Sequence, residues 1–366
     1  MEVLKTVPAV FSVGNEYQIM VPVSCETLMS VKVGEKKYYD HSNGIIRSKV
    51  AIHRMTVPTA ELDREKKYTL CYRKVVDRKP YFPDVCEEEE IEFDFCPVGS
   101  ENIKVYHISD AHNFIDGPVA AAKKFEQENG EIDLLILNGD IPNHSGEIEN
   151  FDVIYEIAGQ ITGGKKPVIY SRGNHDTRGF YAESIADYTP CRNGNSYFSF
   201  RTGGIWGVVI DCGEDKVDDY PEYGHTVCCH PFREEETAYL ENLCPESEYA
   251  ASGVTHKIAV SHVPFTRRLP EPFNIEEEIY RKWAKILKET VKPELMLCGH
   301  LHRFFIDMPG GPADDYGQPC PVVVGSVQHW KDGGYFAGAG YIFREGETEV
   351  IFNDGEKIIE RNLIKR

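Results

Sequence analysis

The sequence has no cysteines in CxxC spacing, no excess of basic residues and no long apolar run. None of the eleven cysteines lies in a CxxC pair, so a metal site of the zinc-finger kind is disfavoured. The 40 basic residues stand against 59 acidic ones, giving a formal net charge of −19. Binding to a phosphate backbone draws on clustered Lys and Arg, so nucleic acid is not expected as the main ligand. No segment is apolar over the length that a membrane span needs.

The start of the sequence also lacks the unbroken apolar segment of a signal peptide. Glu2, Lys5 and Pro8 interrupt it, so we expect a cytoplasmic protein that does not bind a membrane. In that reducing compartment the cysteines are expected to be free thiols. The adjacent residues Cys228 and Cys229 leave a vicinal disulfide open as an alternative.

The character of the sequence changes near residue 97. Before this point, short apolar or alternating runs separated by turn residues predict a small all-β sandwich of the fibronectin type III or Ig-like kind. Residues 96–100 have the composition of a linker. Beyond them, apolar strands alternate with amphipathic helices near residues 148–155 and 275–287, which indicates βαβ units around a central sheet. We therefore predict a β-sandwich domain over residues 1–97 and an α/β domain over residues 98–366.

Polar residues follow five apolar runs of the second region at the point where each run ends. Because open α/β sheets place ligands at the carboxyl ends of their strands, these side chains are expected to meet. Together they offer two carboxylates, one amide oxygen and four imidazoles, which suit two divalent first-row metal ions with a carboxylate bridging the pair. The predicted metal ligands are Asp110, His112, Asp140, Asn174, His262, His300 and His302.

These five blocks, in this order, resemble the calcineurin-like metallophosphoesterase superfamily. Its pattern of D-x-H, G-D-x-x-[DN], G-N-H-[DE], a single His and G-H-x-H is matched between Asp110 and His302. The resemblance implies a four-layered α/β fold, two packed mixed sheets flanked by helices, here preceded by the small all-β sandwich. It also implies two divalent metal ions, Mn, Fe or Zn. One would be held by Asp110, His112, Asp140 and His302, and the other by Asp140, Asn174, His262 and His300, so that Asp140 is the bridge.

The resemblance further implies a catalytic role for His175, which would give a proton to the leaving oxygen. Asp176 would orient His175 and favour its protonated form; the alternative is that Asp176 caps the following segment. Arg172 and Arg178 flank this loop and are predicted to bind phosphate oxygens, with surface ion pairs as the other interpretation.

Two further features remain open from the sequence. Asn143 is either a turn residue or a residue that orients Asn174 or a water. The stretch 212–234 has no apolar period, and we expect it to be a loop that lies over the site and influences substrate choice. Within this stretch, His225 and His230 are secondary candidates for contact with a substrate.

The reaction implied is hydrolysis of a small phosphate ester, a phosphodiester or a phosphomonoester, by a hydroxide held between two metal ions. A purple acid phosphatase-like monoesterase is one alternative, but its G-D-x-x-Y pattern requires a tyrosine where this chain has Asn143. The G-D-x-x-D-R-G block of serine/threonine protein phosphatases is also absent. A non-catalytic binding protein on the same scaffold is the alternative outside the enzymes. Retention of every ligand position together with His175 favours the enzyme.

Overall fold

The computed structural model describes residues 3–245, 252–329 and 334–366, and its N-terminal part consists mainly of strands. Runs with β-branched and aromatic residues, separated by turns that contain Gly or Asn, form these elements as expected. In chain order they are β1 (Ala9–Val13), β2 (Glu16–Pro22), β3 (Thr27–Val33), β4 (Lys36–Tyr39), β5 (His41–Ser42), β6 (Ile45–Ile46), β7 (Ile52–Pro58), α1 (Thr59–Glu65), β8 (Lys67–Asp77), β9 (Asp84–Val85) and β10 (Glu89–Asp94).

Strands and helices alternate in the remainder of the chain, as the sequence predicts. The first of the two predicted helices begins as a 3₁₀ turn at Ile148–Phe151 and continues as α3. The elements are β11 (Ile103–Ile108), α2 (Asp116–Asn129), β12 (Leu134–Asn138), α3 (Asp152–Thr162), β13 (Pro167–Ser171), β14 (Phe198–Thr202), β15 (Ile205–Ile210), α4 (Cys229–Glu241), β16 (His256–Ser261), α5 (Glu277–Ile286), β17 (Leu295–Cys298), β18 (Arg303–Asp307), β19 (Val322–His329), β20 (Tyr335–Arg344), β21 (Glu347–Asp354) and β22 (Ile358–Lys365).

One long mixed sheet organises the second region. Its strand order is β14-β15-β16-β17-β19-β20-β11-β12-β13-β1-β2-β7, with β18 beside β19 and with β21 and β22 beyond β20. The sheet folds back at β19 and β20, so that Ile136 of β12 and Val260 of β16 share one core between its two halves. We call the half that contains β11–β13 the first half-sheet and the half formed by β14–β19 the second half-sheet.

Helices cover the outer face of each half-sheet. Phe125 of α2 and Ile154 of α3 are buried against the first half-sheet, and Leu240 of α4 and Trp283 of α5 are buried against the second. Helix, sheet, sheet and helix therefore form the four layers that the sequence predicts. No helix in the described residues is long and apolar enough to cross a membrane.

The N-terminal strands form a sandwich that shares a layer with this sheet. One layer contains β1, β2 and β7, and the other contains β3, β4, β8, β9 and β10. Ile19 of β2 points into the core between these layers, whereas its neighbour Met20 points into the core under α3. Strand β2 is thus buried on both faces, because its sheet continues into the first half-sheet.

Strand β1 makes this connection. It runs parallel to β13, with Val10 opposite Pro167 and Phe11 opposite Val168. Just beyond β1, the backbone of Gly14 accepts a hydrogen bond from Arg201 N (2.8 Å) and donates one to Ser199 O (2.9 Å). The N-terminal region therefore pairs with both half-sheets, which the sequence does not predict. The division of the chain at residue 97 into two domains stays a prediction.

Candidate metal centre

The seven predicted ligands lie in loops at the carboxyl ends of five strands. Asp110 and His112 follow β11, Asp140 follows β12, Asn174 follows β13, His262 follows β16, and His300 and His302 follow β17. Strands β11–β13 are mutually parallel, as are β16 and β17. The two half-sheets each present one set of strand ends, and these meet at the same side of the molecule.

The donor atoms form two groups that are linked through Asp140. In the first group, His302 Nε2 lies 3.2 Å from Asp110 Oδ1 and 3.3 Å from His112 Nε2. In the second group, formed by Asp140, His262 and His300, the donor atoms lie within 4.8 Å of one another. His112 Nε2 is 3.9 Å from Asp140 Oδ2. Asp140 is thus placed where one carboxylate can face two cations.

Asn174 belongs with the second group. Its Oδ1 lies 3.1 Å from His300 Nδ1, and its Nδ2 donates to Asp215 Oδ2 at 3.5 Å. The side chain therefore turns its oxygen towards the imidazole ligands. An amide oxygen in this place suits a divalent cation.

Five of the seven ligand positions have a left-handed backbone, which costs a residue other than Gly of order 1–3 kcal/mol. The φ values are 55° at Asp110, 44° at His112, 52° at Asp140, 68° at His300 and 48° at His302. Such clustering is typical of sites where the surrounding fold imposes a geometry for function.

Glycines allow the loops to come close to the carboxylates. A Cβ on Gly173 would lie 2.2 Å from Asp140 Oδ1. Any larger residue at this position would push Asp140 away from the ligand set.

Buried charge in the site requires a cationic partner. Burial alone would raise the pKa of Asp110, but the neighbouring His262 and His302 lower it to about 2. The pKa of Asp140 is lowered further, again against burial and chiefly by His262. Burial would lower the pKa of His262, but Asp140 and Asp110 raise it to about 10. The two buried carboxylates thus stabilise positive charge at the place where a divalent cation would bind.

The arrangement of His262 fits a metal ligand. Its Nδ1 lies 2.8 Å from the carbonyl oxygen of Asn138, which fixes the ring. Its buried Nε2 points at Asp140 Oδ2, 3.2 Å away, without the alignment of a hydrogen bond. A buried nitrogen with no hydrogen-bond partner among the described residues is what a metal ligand looks like without its ion.

Asp176 does not orient His175 as the sequence analysis expects. Its carboxylate accepts hydrogen bonds from the backbone N–H groups of Gly173 (2.7 Å) and Asp140 (2.9 Å) and from the hydroxyl of Tyr170 (2.8 Å). Burial, followed by the charge of Asp140, raises the pKa of Asp176 to about 7. Because its hydrogen bonds tie the loop after β12 to the loop after β13, Asp176 supports the backbone of the site.

His175 is held by two other groups. Its Nδ1 lies 2.9 Å from the carbonyl oxygen of Asn143, and its Nε2 lies 3.1 Å from Arg178 Nη1. The ring meets the His112 ring edge-on, with the centroids 4.6 Å apart. His175 is therefore next to the ligand set, and Asn143 acts through its backbone.

The two predicted phosphate-binding arginines both form ion pairs with carboxylates. Arg178 pairs with Glu214 through two hydrogen bonds of 2.8 and 2.9 Å. Arg172 Nε lies 2.6 Å from Asp211 Oδ2, and its guanidinium lies 5.2 Å from the centroid of the Phe232 ring. The structure brings Arg178 to the ligand set but leaves Arg172 beside a neighbouring cleft.

Residues 212–228 form a loop that reaches the site, as expected, but the last part of the stretch 212–234 is helical because α4 begins at Cys229. Asp215 accepts hydrogen bonds from the Tyr223 hydroxyl (3.0 Å) and from Lys216 Nζ (3.2 Å), and its Oδ2 lies 4.0 Å from His300 Nε2. The sequence pattern does not predict Glu214, Asp215 and Lys216 as individual site residues. Their one signal was a pair of acidic residues soon after a predicted strand.

The two histidines of this stretch, His225 and His230, do not line the pocket that contains predicted ligands. His225 and His230 are exposed, and His230 Nδ1 is 2.9 Å from Glu276. Cys228 and Cys229 are free thiols, so the vicinal disulfide is not formed.

One cleft includes part of the ligand set, and a second cleft meets it at Arg178. The first, which we call the site pocket, has a volume of about 480 Å³ and is lined by Asp140, Asn174, His175, His300 and His302 together with Arg178, Asp215, Lys216, Leu269, Pro270, Phe273 and Leu301. The second, which we call the side cleft, has a volume of about 800 Å³ and includes Arg172, Phe180, Tyr223 and Phe232 in its lining. Arg178 lines both clefts and separates them.

Comparisons with known proteins identify a matching family and similar structures. Residues 103–304 match the sequence model of a family described as calcineurin-like phosphoesterase. The purple acid phosphatase PPD1 from yellow lupin (Lupinus luteus) superposes with a TM-score of 0.61 at 12% identity, over 99% of this chain and 75% of the lupin chain. GAP50 of Plasmodium, described as the anchor in the inner membrane complex, gives a TM-score of 0.48 at 11% identity, over 72% of this chain and 89% of its own. A search of curated protein sequences finds no match.

Proposed function

The chain belongs to the calcineurin-like phosphoesterase family, and on that premise we propose that it hydrolyses a small phosphate ester with two divalent metal ions. The observation that carries the proposal is the convergence of seven donor side chains from five strand ends, grouped around Asp140. We propose the cytoplasm as its location and expect neither nucleic acid nor a membrane as its main partner.

The residues present fit the two ions. Asp110, His112, Asp140 and His302 would hold one, and Asp140, Asn174, His262 and His300 the other; imidazole, carboxylate and amide donors suit Mn, Fe or Zn. When bound, such ions lower the pKa of a water towards about 7 and neutralise the charge that develops on the phosphate.

His175 and Arg178 would handle the leaving group and the phosphate. The carbonyl of Asn143 fixes His175 through Nδ1, so Nε2 is the nitrogen that exchanges a proton with the leaving oxygen. Arg178 Nη1 donates to this Nε2 in the structure. Proton donation by His175 therefore requires this contact to open when substrate binds, so that Nε2 faces the leaving oxygen and Nη1 donates to a phosphate oxygen.

The alternatives have weaker support. The similarity to the lupin purple acid phosphatase, at 12% identity, supports the fold alone. A ferric tyrosinate centre needs a phenolate at the position where this chain has Asn143. A non-catalytic scaffold would have no need for strained backbone at five ligand positions, since such strain is retained where function uses it.

Metal content and hydrolysis together test the proposal. We expect about two metal ions per chain by elemental analysis and cleavage of p-nitrophenyl esters after loading with Mn²⁺. Asp140→Asn should lower both metal content and turnover, because one carboxylate faces both groups. Asp116→Asn, at an exposed position of α2, is the control. Normal turnover in Asp140→Asn, or a wild-type protein that binds two ions and cleaves no phosphate ester, would reject the proposal.

A further inference from the structure

We propose that the substrate is a phosphodiester with an organic group on each side of the phosphate, of which one is a planar aromatic group held in the side cleft. This inference rests on the proposed function and decides between the two ester classes that the proposed function leaves open. It depends on the shape of the two clefts and on how their cations are paired.

The shape of the site provides two places for organic groups. The site pocket has an apolar wall of Leu269, Pro270, Phe273 and Leu301 beside the ligand set. On the other side of Arg178, the side cleft provides about 800 Å³. A monoester has one organic group and would leave one of these clefts filled with water alone.

The side cleft has the lining of a site for a flat ring. Phe180 is 77% exposed at this cleft. The Arg172 guanidinium lies over the Phe232 ring in the same lining. An exposed aromatic ring in a concave surface offers an apolar face to a planar ligand, and stacked rings bind each other favourably.

The charges near the phosphate favour a single negative charge. At neutral pH a monoester carries nearly two negative charges, because its second pKa is about 6, whereas a diester carries one. The Arg and Lys side chains that line the two clefts in the described parts of the chain are Arg172, Arg178 and Lys216. Each is already paired with a carboxylate: Arg172 with Asp211 at 2.6 Å, Arg178 with Glu214 at 2.8 Å and Lys216 with Asp215 at 3.2 Å.

Lys216 is also fixed in place by aromatic rings. Its Nζ lies 5.2, 5.5 and 5.1 Å from the ring centroids of Tyr220, Tyr223 and Phe273, and 3.1 Å from Glu222 Oε2. It is therefore not available as a mobile counter-charge. Metal ions would attract both ester classes. The second charge of a monoester would have no further Arg or Lys partner among these three side chains, because each is already paired.

A pair of stable probes tests binding without turnover. Diphenylphosphinate has two rings and one negative charge, whereas phenylphosphonate has one ring and two negative charges at pH 8; neither contains an ester bond. With the metal-loaded protein, calorimetry should give a Kd at least tenfold lower for diphenylphosphinate. Equal affinities, or tighter binding of phenylphosphonate, would overturn the inference.

The side cleft is tested by Phe180→Ala. Loss of the ring should raise the Kd of diphenylphosphinate about three- to tenfold, and Phe180→Trp should restore it. The matched control is Phe82→Ala, which removes a ring that is 83% exposed in the β8–β9 turn. If Phe180→Ala and Phe82→Ala have the same effect, the side cleft does not hold the aromatic group.

Kinetics separate this inference from the proposed function. We expect kcat/KM for bis(p-nitrophenyl) phosphate to exceed that for p-nitrophenyl phosphate at least tenfold. Preference for the monoester overturns the diester inference and leaves the phosphoesterase in place. A protein that holds two metal ions and cleaves neither compound rejects the proposed function, and the diester inference with it.

Discussion

Arg178 and Glu214 form an ion pair through two parallel hydrogen bonds, Nε to Oε1 at 2.8 Å and Nη2 to Oε2 at 2.9 Å. The carboxylate is buried, with 1% of Glu214 exposed, and it also accepts a hydrogen bond from the Thr177 hydroxyl. The third guanidinium nitrogen, Nη1, is left to contact His175. Glu214 thus fixes the direction of Arg178 and cancels its charge.

Glu214→Gln should weaken the preference for diesters. Glutamine keeps one acceptor for Arg178 but leaves the guanidinium charge uncompensated, so a doubly charged phosphate gains a partner. We expect the ratio of kcat/KM values, diester over monoester, to fall severalfold, and inorganic phosphate to inhibit more strongly.

Glu235→Gln provides the matched control for this variant. Glu235 is exposed on α4 and forms no ion pair in the described structure, so its replacement makes the same change in net charge away from the clefts. An equal shift in the ester ratio for both variants would show that the effect is one of overall charge rather than of Arg178.

His175→Ala tests proton donation to the leaving oxygen. An alkoxide is a strong base and needs a proton as it leaves, whereas p-nitrophenolate leaves without one. General acid catalysis typically contributes about 10²- to 10⁴-fold, so alkyl or nucleoside esters should slow by that order while p-nitrophenyl esters slow much less. Elemental analysis should find the metals retained. An equal loss on both ester types would assign His175 to phosphate binding instead.

His107 should make the protein less stable in acid. Its buried ring is neutral in the folded state, since Nε2 faces the Asn138 amide nitrogen at 3.1 Å and burial lowers its pKa from 6.5 to about 3. The unfolded chain takes up a proton below pH 6.5 and the folded one does not. The free energy of unfolding is therefore not reduced by His107 above pH 6.5, and it decreases as the pH falls from 6.5 towards 3.

Urea unfolding of the chelator-treated protein at several pH values measures this effect. One such group changes the free energy of unfolding by at most about 1.4 kcal/mol per pH unit. His107→Gln should reduce the slope between pH 6 and pH 4 by nearly that amount (on the order of 1 kcal/mol per pH unit). His225→Gln, in an exposed loop, is the control for loss of one histidine, and identical slopes in the two variants would contradict the prediction.

Phe11→Ala tests whether the N-terminal strands fold with the rest of the chain. Phe11 of β1 is 1% exposed and packs edge-on against Tyr155 of α3, and Phe→Ala in a core typically costs about 3–5 kcal/mol. Two of the three tryptophans, Trp206 and Trp283, are buried in the core of the second half-sheet, whereas Phe11 lies in the core under α3, so tryptophan fluorescence reports mainly on a different core. We expect the urea midpoint measured by this fluorescence to fall in Phe11→Ala and to stay unchanged in the control, Phe82→Ala. An unchanged midpoint would support residues 1–97 as an independent folding unit.

The sequence predicts those features that depend on local pattern. Apolar runs such as Leu134–Asn138 become buried strands, and the polar residues after them meet because parallel strands end at a common edge. The ligand set, the four layers and the N-terminal sandwich follow from this rule and from the family resemblance.

Features that depend on distant pairing could not be predicted in this way. Nothing in the residues of β1 indicates that Val10 lies opposite Pro167. Glu214 and Asp215 stand in a loop without periodicity, so their approach to Arg178 and His300 becomes visible only in three dimensions. For Asp176, the family resemblance implies contact with His175, but the carboxylate accepts hydrogen bonds from backbone N–H groups instead.

The pairing of β1 with β13 also affects the order in which the protein is assembled during synthesis. Val10 leaves the ribosome well before Pro167, and at typical rates of 5–20 residues per second the interval is roughly 10 to 30 s. During this time one edge of β1 has no parallel neighbour, while its other edge pairs with β2, which pairs with β7. The antiparallel strands β2 and β7 thus provide a nascent layer that can hold β1 until β13, the strand that precedes Asn174, arrives. The metal-binding loops stay incomplete until His302 has been made.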